Sequence, residues 1–408
     1  MARRTLSDVP KYEPLRQFSA PDPHMIFHRM RREDPVYWHP TLQMWFLTRF
    51  DDIATIACDP CCTATRERRD DAPVPATLRP QVVMIEEFLT RWLSLNDPPA
   101  HTRLRHAAAA LFAPQALGHL RALVEQTVRQ CLDRVHSQEA FDVMSALAFP
   151  LARTVLCHLL QIPVADLPFL KAWLKDAMAL VSARQATAEA VARSSQGIEG
   201  LRAYFRRVAH QRTRDSAGRW SVLAGCEPHQ TELDIQEKIS LAAVLLTGGY
   251  ETVAYQLGNA VLALLEHPEE ARKLRQQPEL IRLASEEFVR YEGAVGSLMR
   301  RVRQDMDCNG VLIPANAIVL GLLHAGNRDP GHFAEPDRLL VDRQPNRHLG
   351  FGSGVHTCLG AMLARMQIHV AVSALLERFP CWQLANNQLE RVPSFIFRGL
   401  RSLPILVR

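Results

Sequence analysis

A short stretch near the C-terminal end of the chain, HLGFGSGVHTCLG at residues 348–360, combines four glycines, two histidines and one cysteine. Alternating glycines allow the backbone to approach a large, flat partner closely. The helical pattern LGAMLAR follows Cys358, so we expect its sulfur to lie near free amide groups and the positive end of a helix dipole. Such surroundings favour an ionised thiolate.

An ionised cysteine in this setting has two main uses, as a nucleophile or as a metal ligand. The nucleophile hypothesis needs His356 as a base, but no third group is placed to orient it. The ligand hypothesis uses the whole stretch, because a thiolate on haem iron donates electron density toward bound oxygen and glycines admit the macrocycle. A dinucleotide fingerprint is excluded, since Val355 or Thr357 stands where GxGxxG ends in glycine.

A second unusual stretch lies in a long helix predicted over residues 234–266. Gly248 and Gly249 are adjacent in its apolar middle, and each costs about 1 kcal/mol relative to alanine. The hydroxyl of Thr252 can bond a carbonyl one turn back and open the backbone ladder, with the ionisable Glu251 beside it. Two interpretations stay open, a local opening used for chemistry or a glycine pair that packs where helices cross.

The composition limits the class of protein. The 408 residues are 47% hydrophobic, enough for a sizeable core, and carry a formal charge of +5 without a lysine block, which disfavours nucleic acid as a partner. No run reaches the roughly 18 apolar residues of a membrane span, so we expect no membrane association. Nine scattered cysteines do not resemble a disulfide scaffold and fit a reducing cytoplasm.

Helical periodicity predominates along the chain, so the predicted fold class is mainly α (α+β) with small sheets. Without repeats or linkers, we predict an N-terminal tail over residues 1–20 and one domain over residues 21–408. The short strand patterns lie at residues 36–40, 44–50, 311–323 and 403–408.

The glycine-rich stretch resembles a known loop. Residues 351–360, FGSGVHTCLG, resemble the FGxGxHxCxG loop of the cytochrome P450 family, and the resemblance extends from about Pro21 to the end of the chain. It implies the cytochrome P450 fold, a large helical body with small peripheral sheets around a buried haem. It also implies that Cys358 is the axial ligand of haem b, that His356 bonds a haem propionate and that Phe351 packs near the sulfur.

Further motifs follow the order of the family. Gly352 and Gly360 occupy the glycine positions of the loop. Glu287 and Arg290 match the family's ExxR, and residues 327–338, NRDPGHFAEPDR, resemble its NRDPxxF segment. The resemblance implies a buried ion-pair network that supports the cysteine loop.

Three basic residues match positions that bind the haem propionates. Residues 97–105, DPPAHTRLR, resemble the family's DPPxHxRxR segment, which implies that His101 and Arg105 contact one propionate. Arg300 matches an arginine that meets the same acids.

The glycine pair also has a counterpart in the family. GGYET at residues 248–252 resembles the [AG]GxxT oxygen-binding groove, with Gly249 against the haem and with Glu251 and Thr252 as the acid and alcohol that supply protons. Gly248 replaces the more usual alanine, from which we expect a wider groove.

By this resemblance the chain is a haem-thiolate monooxygenase that inserts one atom of O2 into a lipophilic molecule such as a terpenoid, steroid or polyketide. No flavin, nicotinamide or iron–sulfur motif is present, so we expect electrons from a ferredoxin and its reductase, docked at Arg103, Arg347 and Arg365. Two alternatives are a peroxide-driven peroxygenase and a non-catalytic haem sensor.

The family's substrate-contacting positions are mostly apolar in this chain. The family usually has a proline after the ExxR helix, whereas Glu292, Gly293 and Ala294 stand here, which predicts a looser segment. The expected pocket residues are Met84, Phe88, Trp92, Val244, Gly248, Val295, Ser297, Phe395 and Ile396.

Overall fold

The computed structural model of the chain describes residues 9–13, 20, 22–65, 74–135, 138–182, 187–211, 233–386, 388–394 and 396–407. Of the predicted site residues, Phe395 lies outside this set. The chain forms two compact units. The first contains residues 1–63, 124–151 and 251–408, and the second contains residues 64–123 and 152–250. The prediction of one domain over residues 21–408 stays a prediction.

Helices account for most of the elements in the described residues, as the periodicity predicted. In chain order they are α1 (His24–Glu33), α2 (Phe50–Cys58), α3 (Arg79–Leu89), α4 (Ala100–Ala109), α5 (Pro114–Asp133), α6 (Phe149–Leu160), α7 (Leu167–Ala177), α8 (Ala179–Ser182), α9 (Ala188–Gln211), α10 (Ile235–Gly249), α11 (Glu251–Glu266), α12 (Pro268–Gln276), α13 (Ile281–Tyr291), α14 (Leu323–Gly326) and α15 (Ala361–Arg378).

Every strand of the described residues belongs to the first unit, and the described part of the second unit is helical. The strands are β1 (Val36–His39), β2 (Met44–Leu47), β3 (Cys62–Thr63), β4 (Ala140–Asp142), β5 (Ser297–Val302), β6 (Met306–Cys308), β7 (Val311–Ile313), β8 (Ile318–Leu322), β9 (Trp382–Leu384) and β10 (Pro404–Val407). All four predicted strand regions are therefore confirmed.

The largest sheet has five strands in the order β1-β2-β8-β5-β3. β1 and β2 contain the aromatic residues of this sheet, and one face packs on α2, where Ile53 is fully buried against Val302 and Val319. β5 runs antiparallel to β8 and pairs Arg300 with Val319. A three-stranded sheet, β4-β10-β9, and the β6–β7 hairpin complete the strand structure.

The helix predicted over residues 234–266 is two helices in the structure. α10 begins with a capping box, in which the Asp234 carboxylate accepts the Glu237 backbone N–H at 2.8 Å and the Asp234 N–H donates to the Glu237 carboxylate at 3.0 Å. It ends at Gly249, because Tyr250 departs from helical geometry with φ −104° and ψ −70°. The expected defect is therefore a complete interruption one residue after the glycine pair.

The segment after α13 is not loose, contrary to the expectation from its missing proline. Glu292 is buried and ion-paired with Arg391 at 3.1 Å and with Arg398. The backbone of Ala294 accepts a hydrogen bond from the Arg398 N–H at 2.9 Å and donates one to the Gln256 side chain at 2.9 Å. Burial disfavours the charged carboxylate, but the arginines and His24 hold the pKa of Glu292 well below its usual value. An ion network thus replaces the rigidity of proline.

Within the described residues, no single helix has the length and apolar composition needed to cross a membrane. Two pairs of consecutive helices have that length and composition only when the two helices of a pair are taken together, and the pairs are bent by 49° and 110°.

Candidate functional site

The cysteine loop, residues 348–360, is folded by its own backbone. Gly352 and Gly354 have φ values of +72° and +67°, which glycine adopts without strain. The Cys358 N–H donates to the Phe351 carbonyl at 2.8 Å, which closes the loop and leaves Cys358 exposed. α15 begins at Ala361, three residues after Cys358 and later than the sequence predicted. His356 ends a single 3-10 turn just before the cysteine and is half-buried.

Two glycines of the loop also allow close packing within the first unit. A Cβ at Gly350 would lie 2.4 Å from a methyl of Val289 on α13. A Cβ at Gly354 would lie 3.1 Å from the Ala57 carbonyl at the end of α2. A side chain at either position would force the loop away from these helices, so the loop can pack this closely only with glycine at both positions.

The ExxR pair lies at the centre of a buried network. Glu287 and Arg290 are both fully buried on α13, and Arg290 binds the carboxylate through Nε at 2.7 Å and Nη2 at 2.8 Å. Arg343 adds a second cation, with Nε 3.0 Å from the same carboxylate. Because each charge is paired and hydrogen-bonded, the network satisfies the condition for burying ions. The predicted structural ion pair is therefore present.

The same network reaches the cysteine loop. Arg290 donates to the Asn327 carbonyl at 2.9 Å, and the Asn327 side chain accepts the Leu349 N–H at 2.8 Å. The NRDP segment thus connects the ion pair to the first residues of the loop, as the motif order predicted.

The neighbouring carboxylate, Glu286, contacts the loop directly, and the sequence analysis missed it. It accepts two hydrogen bonds from Arg365, at 2.5 and 2.8 Å, and lies 3.2 Å from His348 Nε2. Burial would raise the pKa of Glu286, but the bonds from His348 and Arg365 lower it to about 2. The only sequence signal was its position beside the ExxR glutamate.

Two arginines predicted to dock a partner are already engaged. Arg365 is paired with Glu286, and Arg103 on α4 binds Glu237 on α10, with Nη1 3.1 Å from the carboxylate. Arg347 is exposed. Of the three, Arg347 has the side chain that is most open to solvent.

The second unit carries two of the predicted propionate ligands on α4. His101 is buried in the first turn, and its N–H donates to the Asp97 carbonyl at 3.0 Å. Arg105, four residues later, is half-buried. The spacing places both on one face of the helix, as predicted.

β5 carries the third predicted propionate ligand, Arg300, which is half-buried and donates to the Met299 carbonyl at 2.8 Å. The neighbouring backbone brings three predicted pocket residues together. The Gly296 N–H donates to the Ile396 carbonyl at 2.7 Å, which places Ile396 beside Val295 and Ser297.

The predicted oxygen-activation residues flank the interruption at Tyr250. Glu251 and Thr252 open α11 and are half-buried. On α10, a Cβ at Gly248 would meet no heavy atom of the described residues outside its own helix within 4 Å, whereas one at Gly249 would lie 3.1 Å from Leu156. Gly248 thus borders open space and Gly249 packs. Thr247, which the sequence analysis did not single out, bonds back to the Ala243 carbonyl at 2.9 Å.

Five predicted pocket residues belong to the second unit, including Gly248 at the end of α10. Met84 on α3 and Val244 on α10 are half-buried. Phe88 is 1% exposed and meets Trp92 edge to face at 6.1 Å. The indole Nε1 of Trp92 is buried without a hydrogen-bond acceptor among the described residues. A buried donor without an acceptor is costly.

The donor set at Cys358 restricts the metal centre that it can serve. No group of three or more His, Cys, Asp or Glu side chains in the described residues could hold a metal ion. A metal on an exposed single thiolate therefore needs its other ligands from a non-protein group, and a porphyrin supplies four nitrogens. The residues fit haem and do not fit a structural zinc.

Comparison with known proteins decides the family. The cytochrome P450 family model matches residues 221–395. PksS, a polyketide biosynthesis cytochrome P450 of Bacillus subtilis, is 32% identical over 397 residues, which cover 94% of this chain and 95% of the relative. This chain belongs to the cytochrome P450 family. It is therefore a cytochrome P450 monooxygenase that uses haem b with a cysteine thiolate as axial ligand.

Two further P450 relatives match over nearly their full length. Vitamin D(3) 25-hydroxylase of Pseudonocardia autotrophica is 32% identical, with 94% of this chain and 93% of the relative covered. The structure of P450BioI in complex with a fatty-acid-ligated acyl carrier protein superimposes with a TM-score of 0.83 at 30% identity, covering 95% of this chain and 99% of that one. The predicted P450 fold is thus confirmed.

Proposed function

We propose that this P450 inserts one oxygen atom into a lipophilic, polyketide-, steroid- or terpenoid-like molecule, with Cys358 as its iron ligand and a ferredoxin as its electron donor. The observation that carries the assignment of Cys358 is its exposed sulfur at the end of a loop fixed by buried ion pairs. When bound, the haem supplies oxygen activation and oxidation of carbon.

The chain's own residues hold the cofactor and the protons. His101, Arg105 and Arg300, with His356, would neutralise the haem propionates by charge-assisted hydrogen bonds. The ring of Phe351 and the backbone of Gly352, Gly360 and Gly249 would contact the macrocycle. In each unit the basic residues of this set are buried or half-buried, and basic side chains are the type that an anionic group needs.

Proton supply is assigned to the start of α11. Thr252 would hold a water by its hydroxyl, and Glu251 would pass protons to it from solvent. Both are half-buried and lie directly after the break between α10 and α11 at Tyr250. The acid and alcohol together disfavour the peroxide-driven alternative, which needs no proton relay.

The substrate class is supported by the apolar character of Met84, Phe88, Val244, Val295 and Ile396. PksS is named for polyketide biosynthesis and the Pseudonocardia relative for vitamin D(3), both lipophilic. We assign the indole N–H of Trp92 as the hydrogen-bond donor to an oxygen of the substrate. Among the described residues, this N–H has no acceptor.

A screen of lipophilic compounds for the spin-state change of the haem tests the substrate assignment. Polyketide-, steroid- and terpenoid-like compounds with a carbonyl or hydroxyl should give the largest shifts. Trp92→Phe should weaken their binding about fivefold and leave that of pure hydrocarbons unchanged, since one neutral hydrogen bond contributes roughly 1 kcal/mol. Equal effects on both classes would contradict the role of Trp92.

Electron delivery is tested at Arg347. Because Arg103 and Arg365 are already paired, Arg347→Glu should reduce the rate of reduction by an acidic ferredoxin more than Arg103→Gln does, and the difference should shrink at high salt. An unchanged rate for Arg347→Glu would remove this contact from the proposal.

A further inference from the structure

Glu286 and its two partners form a second support for the cysteine loop, separate from the ExxR network. The guanidinium carbon of Arg365 lies 4.5 Å from the centroid of the Phe351 ring, in the range of a cation–π contact. The His348 ring lies 5.8 Å from the same ring. Phe351 therefore has both partners of Glu286 as neighbours.

The contacts connect Glu286 to both ends of the loop. His348 Nδ1 accepts the Gly350 N–H at 3.1 Å, so the proton of a neutral ring lies on Nε2, which donates to Glu286. The Phe351 carbonyl accepts the Cys358 N–H at 2.8 Å. Glu286 on α13 is thus connected to Cys358 through Arg365, which lies over the Phe351 ring, and through the backbone hydrogen bond between Phe351 and Cys358.

The charges in this group are close to the sulfur. The pKa of Arg365 is raised, chiefly by its bonds to Glu286 and also by the nearby charge of Cys358. Glu286 has a side chain only 25% exposed, so water screens the pair incompletely. The cation and the anion have opposite effects on charge at the cysteine.

We propose that Glu286 and Arg365 are positioning residues that set the reduction potential of the haem iron, by balancing a carboxylate against a guanidinium stacked on the aromatic residue next to Cys358. The proposal rests on the proposed function, since it takes Cys358 as the iron ligand. It gives Arg365 a role in the site in place of the docking role expected from sequence.

The sign of each effect follows from electrostatics. Reduction adds negative charge at the iron, so a nearby cation favours the reduced form and a nearby anion disfavours it. Glu286→Gln leaves the cation without its counter-charge and should raise the potential. Arg365→Gln leaves the anion and should lower it. The double variant should return toward the wild-type value.

The test measures the reduction potential of the haem iron in the holoenzyme by spectroelectrochemistry, with the reduced carbon monoxide spectrum recorded for each variant. Arg365→Lys keeps the charge but loses the planar stacking, so its potential should lie nearer the wild type than that of Arg365→Gln. Arg378→Gln on the same helix is the matched control, because Arg378 is also paired, to Asp133 at 2.8 Å, and should leave the potential unchanged.

The outcomes separate this inference from the function on which it rests. Opposite shifts for Glu286→Gln and Arg365→Gln, with a thiolate-type Soret band in both, support it. Shifts of the same sign, or none, with that band intact would overturn the inference alone. Absence of the thiolate-type band from the wild-type protein would overturn the assignment of Cys358 as the iron ligand. Should Arg365→Gln fail to fold, Glu286→Gln and Arg365→Lys still decide the question. A charge effect predicts that Glu286→Gln raises the reduction potential and that Arg365→Lys leaves it near the wild-type value.

Discussion

The cysteine loop and the α3 region of the second unit are held in different ways. Around the loop, buried ions fix the backbone, with Glu287 and Arg290 both fully excluded from solvent. In the α3 region, Phe88 and Trp92 are held by apolar packing. Buried ions tolerate little substitution because each needs its partner, whereas apolar packing tolerates changes that preserve volume. The first arrangement suits invariant cofactor chemistry and the second suits a variable substrate.

The strongest way to break this comparison is Glu287→Gln, which conserves volume and removes one buried charge. Arg290 and Arg343 would then share no carboxylate, and we expect a loss of about 3–5 kcal/mol in the free energy of unfolding. Urea unfolding of the holoenzyme measures it. Arg378→Gln, at a partly exposed pair, should cost no more than about 1 kcal/mol. Equal costs for the two variants would contradict the distinction.

Thr252→Ala tests whether a residue of the first unit can affect the reaction without contributing to the stability of the fold. Its hydroxyl is assigned to proton delivery, so the variant should lose about tenfold or more in product formed per electron, with peroxide released instead. The free energy of unfolding should change by less than about 1 kcal/mol. Thr247→Ala, which removes a bond to a backbone carbonyl only, is the control. Full coupling in Thr252→Ala would show that this hydroxyl does not deliver protons.

Phe88→Leu tests the tolerance of the α3 region. Phe88 is 1% exposed, with the Trp92 ring edge-on to it and the guanidinium of Arg202 5.9 Å from its ring centroid. Leucine is smaller than phenylalanine, so the substitution should cost about 1–2 kcal/mol in unfolding free energy, less than Glu287→Gln. The ranking of substrates in the spin-state assay should nevertheless change. A cost equal to that of Glu287→Gln would show that both regions are equally constrained.

A further prediction is a pH dependence from Glu286. Its pKa is about 2 in the folded protein and 4.5 without the fold, so its contribution to stability is complete above pH 4.5 and is lost as the pH falls toward 2. Between pH 4.5 and 2, the urea midpoint of Glu286→Gln should vary less with pH than that of the wild type. Parallel profiles would show that this carboxylate does not contribute.

Much of the cysteine loop could be predicted from sequence, because its chemistry depends on residue types at fixed spacing. The loop glycines and the ExxR pair occupy the expected local structure, whereas the helix expected directly after Cys358 begins only at Ala361. Glu286 could not be found this way, since its partners lie 62 and 79 positions further along the chain. A contact of this kind depends on tertiary structure, which spacing does not record.

Two other departures have local physical causes. The long helix ends at Gly249 because Tyr250 leaves helical geometry, although glycines alone predicted only a weak point. The segment at Glu292 is held by arginines from distant parts of the chain, so the missing proline did not predict a loose connection. At Glu292, tertiary contacts thus outweigh the local signal.

The bond between iron and Cys358 is tested most directly by the reduced, carbon monoxide-bound spectrum of the wild type and of Cys358→His. The wild type should show a thiolate-type Soret band, and Cys358→His should lose it while the unfolding midpoint of the protein without haem changes little. A thiolate-type band that persists in Cys358→His would mean that another cysteine binds the iron and would contradict the central claim.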